Sequence, residues 1–262
     1  MNRIIVFFAL LITPILSRAW TDGLAAERPF KIAKGYDHPQ VALTLDLCMN
    51  RIDHRIFDLL ISQKIPATLF VTGLWLRKNS DIVEKIRAYP ELFEIGNHGA
   101  NHIPPIDDRN TVYGIKTAGG FWHICEEIIG GMRAIEQAHL AFLQPSRWYR
   151  GATALYSRNA ITIIGKLGFC IAGFSVNADE GASLPADEVI RRMKTAKDGD
   201  VIIAHMNQPL RASGKGVAEG IMFLKQRGYS FVKLSDAATL TTCRTKILYK
   251  SCAEIVKDQK NS

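Results

Sequence analysis

Seven short runs of β-branched and aliphatic residues, at 41–47, 67–72, 92–96, 148–150, 169–176, 201–204 and 230–234, alternate along this chain with longer segments of another rhythm. In those segments, at 52–63, 81–88, 123–141, 157–167, 185–196 and 216–227, apolar residues recur at intervals of three and four, the spacing of one helix face. Short apolar runs bounded by turn residues predict strands. Local punctuation agrees with this division. Ser157 is placed to cap a helix, Pro185 with Asp187 and Glu188 suits a first turn, and Gly168 and Gly228 stand where helices should stop. Regular alternation of strand and helix requires parallel strands joined by right-handed crossovers, hence an α/β fold. The near-continuous hydrophobicity of the runs favours a closed or nearly closed barrel, with an open doubly wound sheet as the competing arrangement. No internal repeat or low-complexity linker divides the chain, so a single domain over 38–240 is expected.

The two ends read differently from the body. Arg3 gives a short positive start, residues 4–16 are almost uninterruptedly apolar, and Ser17-Arg18-Ala19 offers small residues at alternate positions. Residues 1–19 are therefore expected to be a signal peptide, with cleavage after Ala26 as the alternative, and the mature protein to be periplasmic or extracellular. A membrane span needs about twenty apolar residues, more than this run provides, so stable membrane insertion is not expected. Removing residues 1–19 takes two of the 33 basic residues and none of the 25 acidic ones, leaving a formal charge of +6 instead of +8. Such a surface suits simple solubility or attraction to an anionic envelope polymer. Lys and Arg are spread along the chain instead of being bunched with aromatics, which argues against nucleic acid. Residues 241–262 read as a basic, solvated tail. Five cysteines form no C-x-x-C pair; Cys243 and Cys252 can bridge a short terminal loop, and Cys170, within an apolar run, reads as a buried thiol. Connectivity stays open on sequence alone.

In parallel barrels, catalytic groups project from the carboxyl ends of strands and the loops after them. Here Asp46 closes the first run, Asn97-His98 follows the third, Arg150 ends the fourth, Asn177 and Asp179 follow the fifth, and His205 ends the sixth. Polar groups thus follow five apolar runs at the one end where they converge. His98 and His102, four apart between Gly96 and Pro104-Pro105, offer two imidazoles to one ion. Asp46, between Leu45 and Leu47, must be paired or functional, because an unpartnered buried charge costs several kcal/mol. A structural ion pair to Arg150 is compatible with a catalytic role, and His205 by itself also suits a satisfied core histidine. There is no G-x-S-x-G, H-E-x-x-H, Walker loop or G-x-G-x-x-G, so serine hydrolase, zincin, nucleotide and dinucleotide chemistries lack their machinery.

The segment VALTLDLCMNRIDHRIFDLLISQKIPATLFVTG, followed by EIGNHGANH, WYRGAT, FSVNADEGAS and GDVIIAHMNQP, resembles the polysaccharide deacetylases, the NodB-homology domain or carbohydrate esterase family 4. The likeness spans about residues 41–234, with five motifs in the family's order. It implies a distorted (β/α)7 barrel and metal-dependent removal of acetyl groups from amino-sugar polymers, that is, a hydrolase acting on carbon–nitrogen bonds other than peptide bonds. By position, Asp46 resembles the family's catalytic base, His98 and His102 its metal-binding histidines, Arg150 the arginine bracing the base, His205 the general acid and Asp179 the partner tuning it. The implied cofactor is a divalent ion of the zinc type, and the implied partner an acetylated amino-sugar polymer or oligomer. Two positions depart from the pattern. Leu47 stands where the second aspartate would be the third metal ligand, and Arg150-Gly151-Ala152 replaces R-x-P. A subset with D-A-C-G in the first motif is more similar to this chain. The third donor is left open among Asp46, Asn101 and Asp179.

The expected reaction is metal-assisted hydrolysis. Asp46 takes the proton of the attacking water, a backbone N–H between Tyr149 and Gly151 helps hold the oxyanion, and His205 protonates the departing amine. Trp75, Trp122 and Trp148 are candidates for stacking on sugar rings, against a core role for each. The rival readings are a non-catalytic carbohydrate-binding relative and an O-acetyl esterase or other C–N hydrolase on the same barrel.

Overall fold

The computed structural model describes residues 23–27, 29–144, 147–237 and 251–260. Its elements in chain order are β1 (Ala25–Ala26), β2 (Gln40–Leu47), α1 (His54–Ser62), β3 (Ala67–Val71), α2 (Gly73–Lys78), α3 (Ser80–Ala88), β4 (Phe93–Asn97), β5 (Thr111–Val112), β6 (Ile115–Lys116) and α4 (Phe121–Gln137). They continue with β7 (Trp148–Tyr149), β8 (Leu155–Tyr156), α5 (Arg158–Lys166), β9 (Cys170–Ile171), β10 (Val176–Asn177), α6 (Ala186–Met193), β11 (Val201–His205), α7 (Ser213–Gln226), β12 (Ser230–Val232) and α8 (Cys252–Lys260). The proposed signal sequence lies outside the described residues. No helix among those described is long and apolar enough to cross a membrane.

Eight strands form one parallel sheet in the order β10-β11-β2-β3-β4-β7-β9, with β12 set against β2. The sheet curls into a half-barrel whose edges, β9 and β10, are consecutive in the chain. The period of two along β2 divides its residues between two interiors. Leu43, Leu45 and Leu47 face outward into the main core under α1, α6 and α7, while Ala42 joins Phe70, Trp148, Ala172 and Val201 within the curl. The N-terminal segment lies along the open seam: Phe30 N–H donates to the Phe174 carbonyl, Ile32 N–H to the Gly199 carbonyl, and Lys31 bridges Asp200. Phe30 and Ile32 are buried there against the inner cluster.

The expected strand at 169–176 is two strands. Between them the Ala172 and Gly173 carbonyls accept from the Arg150 guanidinium at 3.2 and 3.3 Å, so they serve the site instead of a ladder. Caps fall where the punctuation placed them. Ser157 Oγ accepts from Ala160 N–H, Pro185 precedes α6, and Gly168 and Gly228 take positive φ of 75° and 80° after their helices. α2, capped by Thr72, and the β5–β6 hairpin are additional to the expected elements.

The cysteines and the end of the chain require correction. Cys252 is bonded to Cys125 of α4, not to Cys243, and Cys170 is disulfide-bonded instead of being a buried thiol. The stretch read as a solvated tail contains α8, which buries Cys252 and Ile255 in a cluster with Ile128, Ile164 and Phe169. Positive charges in α8 disguised a helix pinned through one covalent link.

Candidate active site

Strand register sets the site. His205 is paired directly across from Asp46, and Asn97, which precedes His98, is paired with both Val71 and Tyr149. All of these positions lie at the carboxyl end of the sheet. The expected residues Asp46, His98, His102, Arg150, Asp179 and His205 come together there, and all but His102 and His205 are fully buried.

Arg150 is the anchor. Its Nη1 donates to Asp46 Oδ1 at 2.8 Å and to Thr44 Oγ1 at 3.0 Å, and its guanidinium lies 4.1 Å over the Phe70 ring. Burial alone raises the Asp46 pKa, but Arg150 first, then His98 and His205, outweigh it and hold the carboxyl below the usual range. Asp46 is therefore an ionised carboxylate in a buried setting. Its second oxygen, Oδ2, stands 3.7 Å from His98 Nε2 and 3.9 Å from His205 Nε2.

His98 is oriented by its other ring nitrogen. Nδ1 lies 2.7 Å from the Arg150 carbonyl, which makes it the N–H donor and leaves Nε2 with its lone pair toward the site. Without an ion, burial opposes protonation of His98, but Asp46 and then Cys48 raise its pKa to about 9. His102 follows in a loop, not a helix, with φ of 62°, and its ring centroid is 4.9 Å from that of His98. The loop is built around two buried side chains. Asn97 Oδ1 accepts from Gly99 N–H, and Glu127 Oε1 accepts from the N–H groups of Asn101 and Ile103. Gly99, at φ of 86°, is needed because a Cβ would lie 2.4 Å from that Glu127 oxygen.

Asp179 is engaged with His205 at two points, Oδ2 accepting the backbone N–H at 2.7 Å and Oδ1 facing Nδ1 at 2.9 Å. Burial alone lowers the His205 pKa; the Asp179 carboxylate and its hydrogen bond override it and raise it well above the usual imidazole value. His205 is thereby favoured in its protonated form, with Nε2 3.9 Å from Asp46 Oδ2.

Two residues that sequence reasoning did not single out join this set. Cys48 Sγ is 3.6 Å from His98 Nε2, and the donor atoms of Cys48, His98 and His102 all lie within 4.8 Å of one another. Burial pushes the Cys48 thiol up, yet hydrogen bonds with His102, His205 and His98 bring it well below its ordinary value. The signal was the period of two, which returns Cys48 to the face of Asp46 at the strand end. Glu27 is the other. Its Oε2 lies 3.9 Å from Arg150 Nε, and its Oε1 accepts from Tyr156 Oη at 2.6 Å. Burial raises Glu27 to about 7, with Arg150 and Tyr156 opposing. No local pattern marks it, because β1 brings it there by pairing with β8.

Other expectations are corrected. Arg150 N–H donates to the Asn97 carbonyl and Gly151 N–H donates to Tyr156 Oη, so neither is free to hold an oxyanion. Asp179 is committed to His205 and Asn101 is exposed; Asp46 Oδ1 is held by Arg150 while Oδ2 faces His98 at 3.7 Å, but the close donor group among the described residues is Cys48, His98 and His102. Trp75 and Trp148 are core residues, whereas Trp122 is 46% exposed at the start of α4. Two imidazoles and a thiol at these separations fit an ion of the zinc type.

Comparison with known proteins bears on the fold and the family. A family model described as polysaccharide deacetylase matches residues 33–172. The peptidoglycan-N-acetylglucosamine deacetylase of Bacillus cereus is 24% identical over 193 residues, covering 70% of this chain and 79% of its own. The crystal structure of the Bc1960 peptidoglycan N-acetylglucosamine deacetylase with a naphthalenyl N-oxidanyl-benzamide superposes with a TM-score of 0.62 at 24% identity, over 80% of this chain and 92% of that one. A CE4 family pseudoenzyme from Bacillus anthracis has a TM-score of 0.60 at 19% identity, over 81% of this chain and 69% of that one. The fold thus accompanies both activity and its loss, and chemistry has to be argued from side chains. With more than half its length matched by the family model and the half-barrel shared with these structures, the chain belongs to the polysaccharide deacetylase family.

Proposed function

We propose that this chain is a metal-dependent deacetylase that removes N-acetyl groups from an N-acetylglucosamine-containing polysaccharide or oligosaccharide in the periplasm or outside the cell. The reading is carried by Asp46 Oδ2, placed between His98 Nε2 at 3.7 Å and His205 Nε2 at 3.9 Å, so that base, metal-binding group and acid share one small space. His98 and His102 would hold a divalent ion, which when bound would supply Lewis acidity to the acetyl carbonyl and to water. Asp46, kept ionised by Arg150, accepts the proton of the attacking water. His205, kept protonated by Asp179, delivers a proton to the departing nitrogen, without which an amide does not expel its amine. That requirement favours N-deacetylation over cleavage of an O-acetyl ester, whose alkoxide leaves more readily.

A glycan substrate is supported by what borders the site. A cleft of about 560 Å³ lined by Asn101, Ile103, Lys116, His123 and Glu126 flanks the His102 loop, with Trp122 exposed beside it in sequence. Its mixed polar and apolar lining suits hydroxyl groups and sugar faces. The N-terminal residues 1–19 read as an export signal, and the Cys125–Cys252 disulfide suits an oxidising compartment. The test combines elemental analysis of purified protein with acetate release from chitin fragments, peptidoglycan and acetylated exopolysaccharide. The expected result is stoichiometric metal and release from at least one of them, abolished by chelator. Glycan binding without turnover, unchanged in Asp46→Asn, would instead establish a carbohydrate-binding relative.

A further inference from the structure

The face of β2 that carries Asp46 does not carry Leu47. Leu47 is packed with Leu43 and Leu45 in the core between sheet and helices, and it brings no donor atom to the site. One residue later the strand's alternation returns the side chain to the inner face. There Cys48, 7% exposed, meets the two histidines of the loop after β4. Of the competing donors, Asp179 is committed to His205, Asn101 is exposed, and Asp46 does not belong to the close donor group of Cys48, His98 and His102.

We propose that Cys48 supplies the third protein donor as a thiolate, so that the ion is held by one sulfur and two imidazole nitrogens instead of by a carboxylate-containing set. This rests on the metal-hydrolase reading of the same site. Distances carry it. With Zn–S about 2.3 Å and Zn–N about 2.0–2.1 Å, a tetrahedral ion separates its sulfur and nitrogen donors by about 3.6 Å. The Cys48 Sγ to His98 Nε2 separation is 3.6 Å. All three donors lie within 4.8 Å of one another, leaving a movement of about 1 Å for His102, whose loop position is the only partly exposed one of the three. His98 is prepared as a ligand by the hydrogen bond from Nδ1 to the Arg150 carbonyl. A catalytic ion would keep a fourth position for water, and Asp46 Oδ2 stands 3.7 Å from His98 Nε2 and 3.9 Å from His205 Nε2 to meet it. Binding releases the thiol proton to solvent, so no other reactant is needed. A thiolate also turns the site toward zinc, cobalt and softer ions and away from magnesium and calcium.

The test is cobalt substitution of the full mature chain, stripped with chelator and reloaded with Co(II) without thiol reductant, which would open the disulfides. The expected spectrum combines visible ligand-field bands with a near-ultraviolet thiolate-to-cobalt charge-transfer band, both saturating at one equivalent. Cys48→Ser and Cys48→Asp should lose the charge-transfer band completely. Cys48→Asp should keep visible bands at one equivalent, which separates loss of sulfur from loss of fold. Wild-type protein with one cobalt and visible bands but no charge-transfer band would overturn the thiolate alone and leave the hydrolase reading standing. A charge-transfer band that persists in Cys48→Asp would also overturn it, by placing the sulfur elsewhere. Folded wild-type protein that takes up no cobalt would overturn both.

Discussion

Asp179 holds His205 by two bonds from one carboxylate, one to the backbone N–H at 2.7 Å and one to Nδ1 at 2.9 Å. The pair fixes both the ring's position and its charge. Replacing the carboxylate by an amide keeps the size and an acceptor but removes the charge that raises His205. In Asp179→Asn, kcat should fall on the order of 100-fold. Because His205 must be protonated to act, a lower pKa means that activity is lost at lower pH. The alkaline limb of the kcat profile should therefore move downward. An unchanged limb would show that His205 is not the acid.

Arg150 makes five polar contacts that a lysine cannot reproduce together: Asp46, Thr44, Ala172, Gly173 and the longer approach to Glu27. Arg150→Lys leaves buried acceptors unpaired and should destabilise the fold by about 3 kcal/mol. Urea unfolding measures it, and a loss below the error of that method would argue that the ammonium recovers these bonds.

Glu27 makes stability depend on pH in a defined direction. Its pKa is near 4.5 when the chain is unfolded and about 7 when folded. A raised value means that the folded state holds its proton longer, so the contribution is full below about pH 4.5 and is lost as pH rises through 7. The difference amounts to about 3 kcal/mol. Glu27→Gln, neutral throughout, should flatten that part of the stability curve and leave the protein more stable than wild type at pH 8. A parallel pair of curves would contradict the burial of Glu27 against Arg150.

Leu47→Asp restores the residue type of the family's second aspartate, yet here it should fail to improve the site. The side chain faces the apolar core, where a carboxylate costs several kcal/mol. Thermal denaturation should show a marked drop with no gain in metal affinity. A stable variant that binds the ion more tightly would mean that the strand end can turn Leu47 inward.

How much of this was legible in the chain depends on whether the signal was local. The apolar runs ending in Asp46, Arg150 and His205 carried both the strand and the polar group after it, so periodicity alone pointed to the right end of the sheet. His98 and His102 were legible through spacing. Cys48 was not, because a thiol beside an apolar run looks like another small hydrophobe. Glu27 was invisible for a different reason: it meets Arg150 only once β1 pairs with β8, a contact with no nearby counterpart in sequence. The six residues of α2 are too few to establish a helical period, and the partner of Cys252 lies 127 residues away, beyond what spacing can specify.

The central claim is that Asp46 acts as the base beside an ion held by the loop histidines. It is tested most directly by measuring acetate release from an N-acetylglucosamine polymer with wild type and Asp46→Asn, each loaded to one equivalent of metal. The account predicts chelator-sensitive release by wild type and a loss of about 1,000-fold in the variant at undiminished metal content. Equal rates from the two metal-loaded proteins, or release by wild type that chelation leaves untouched, would contradict it.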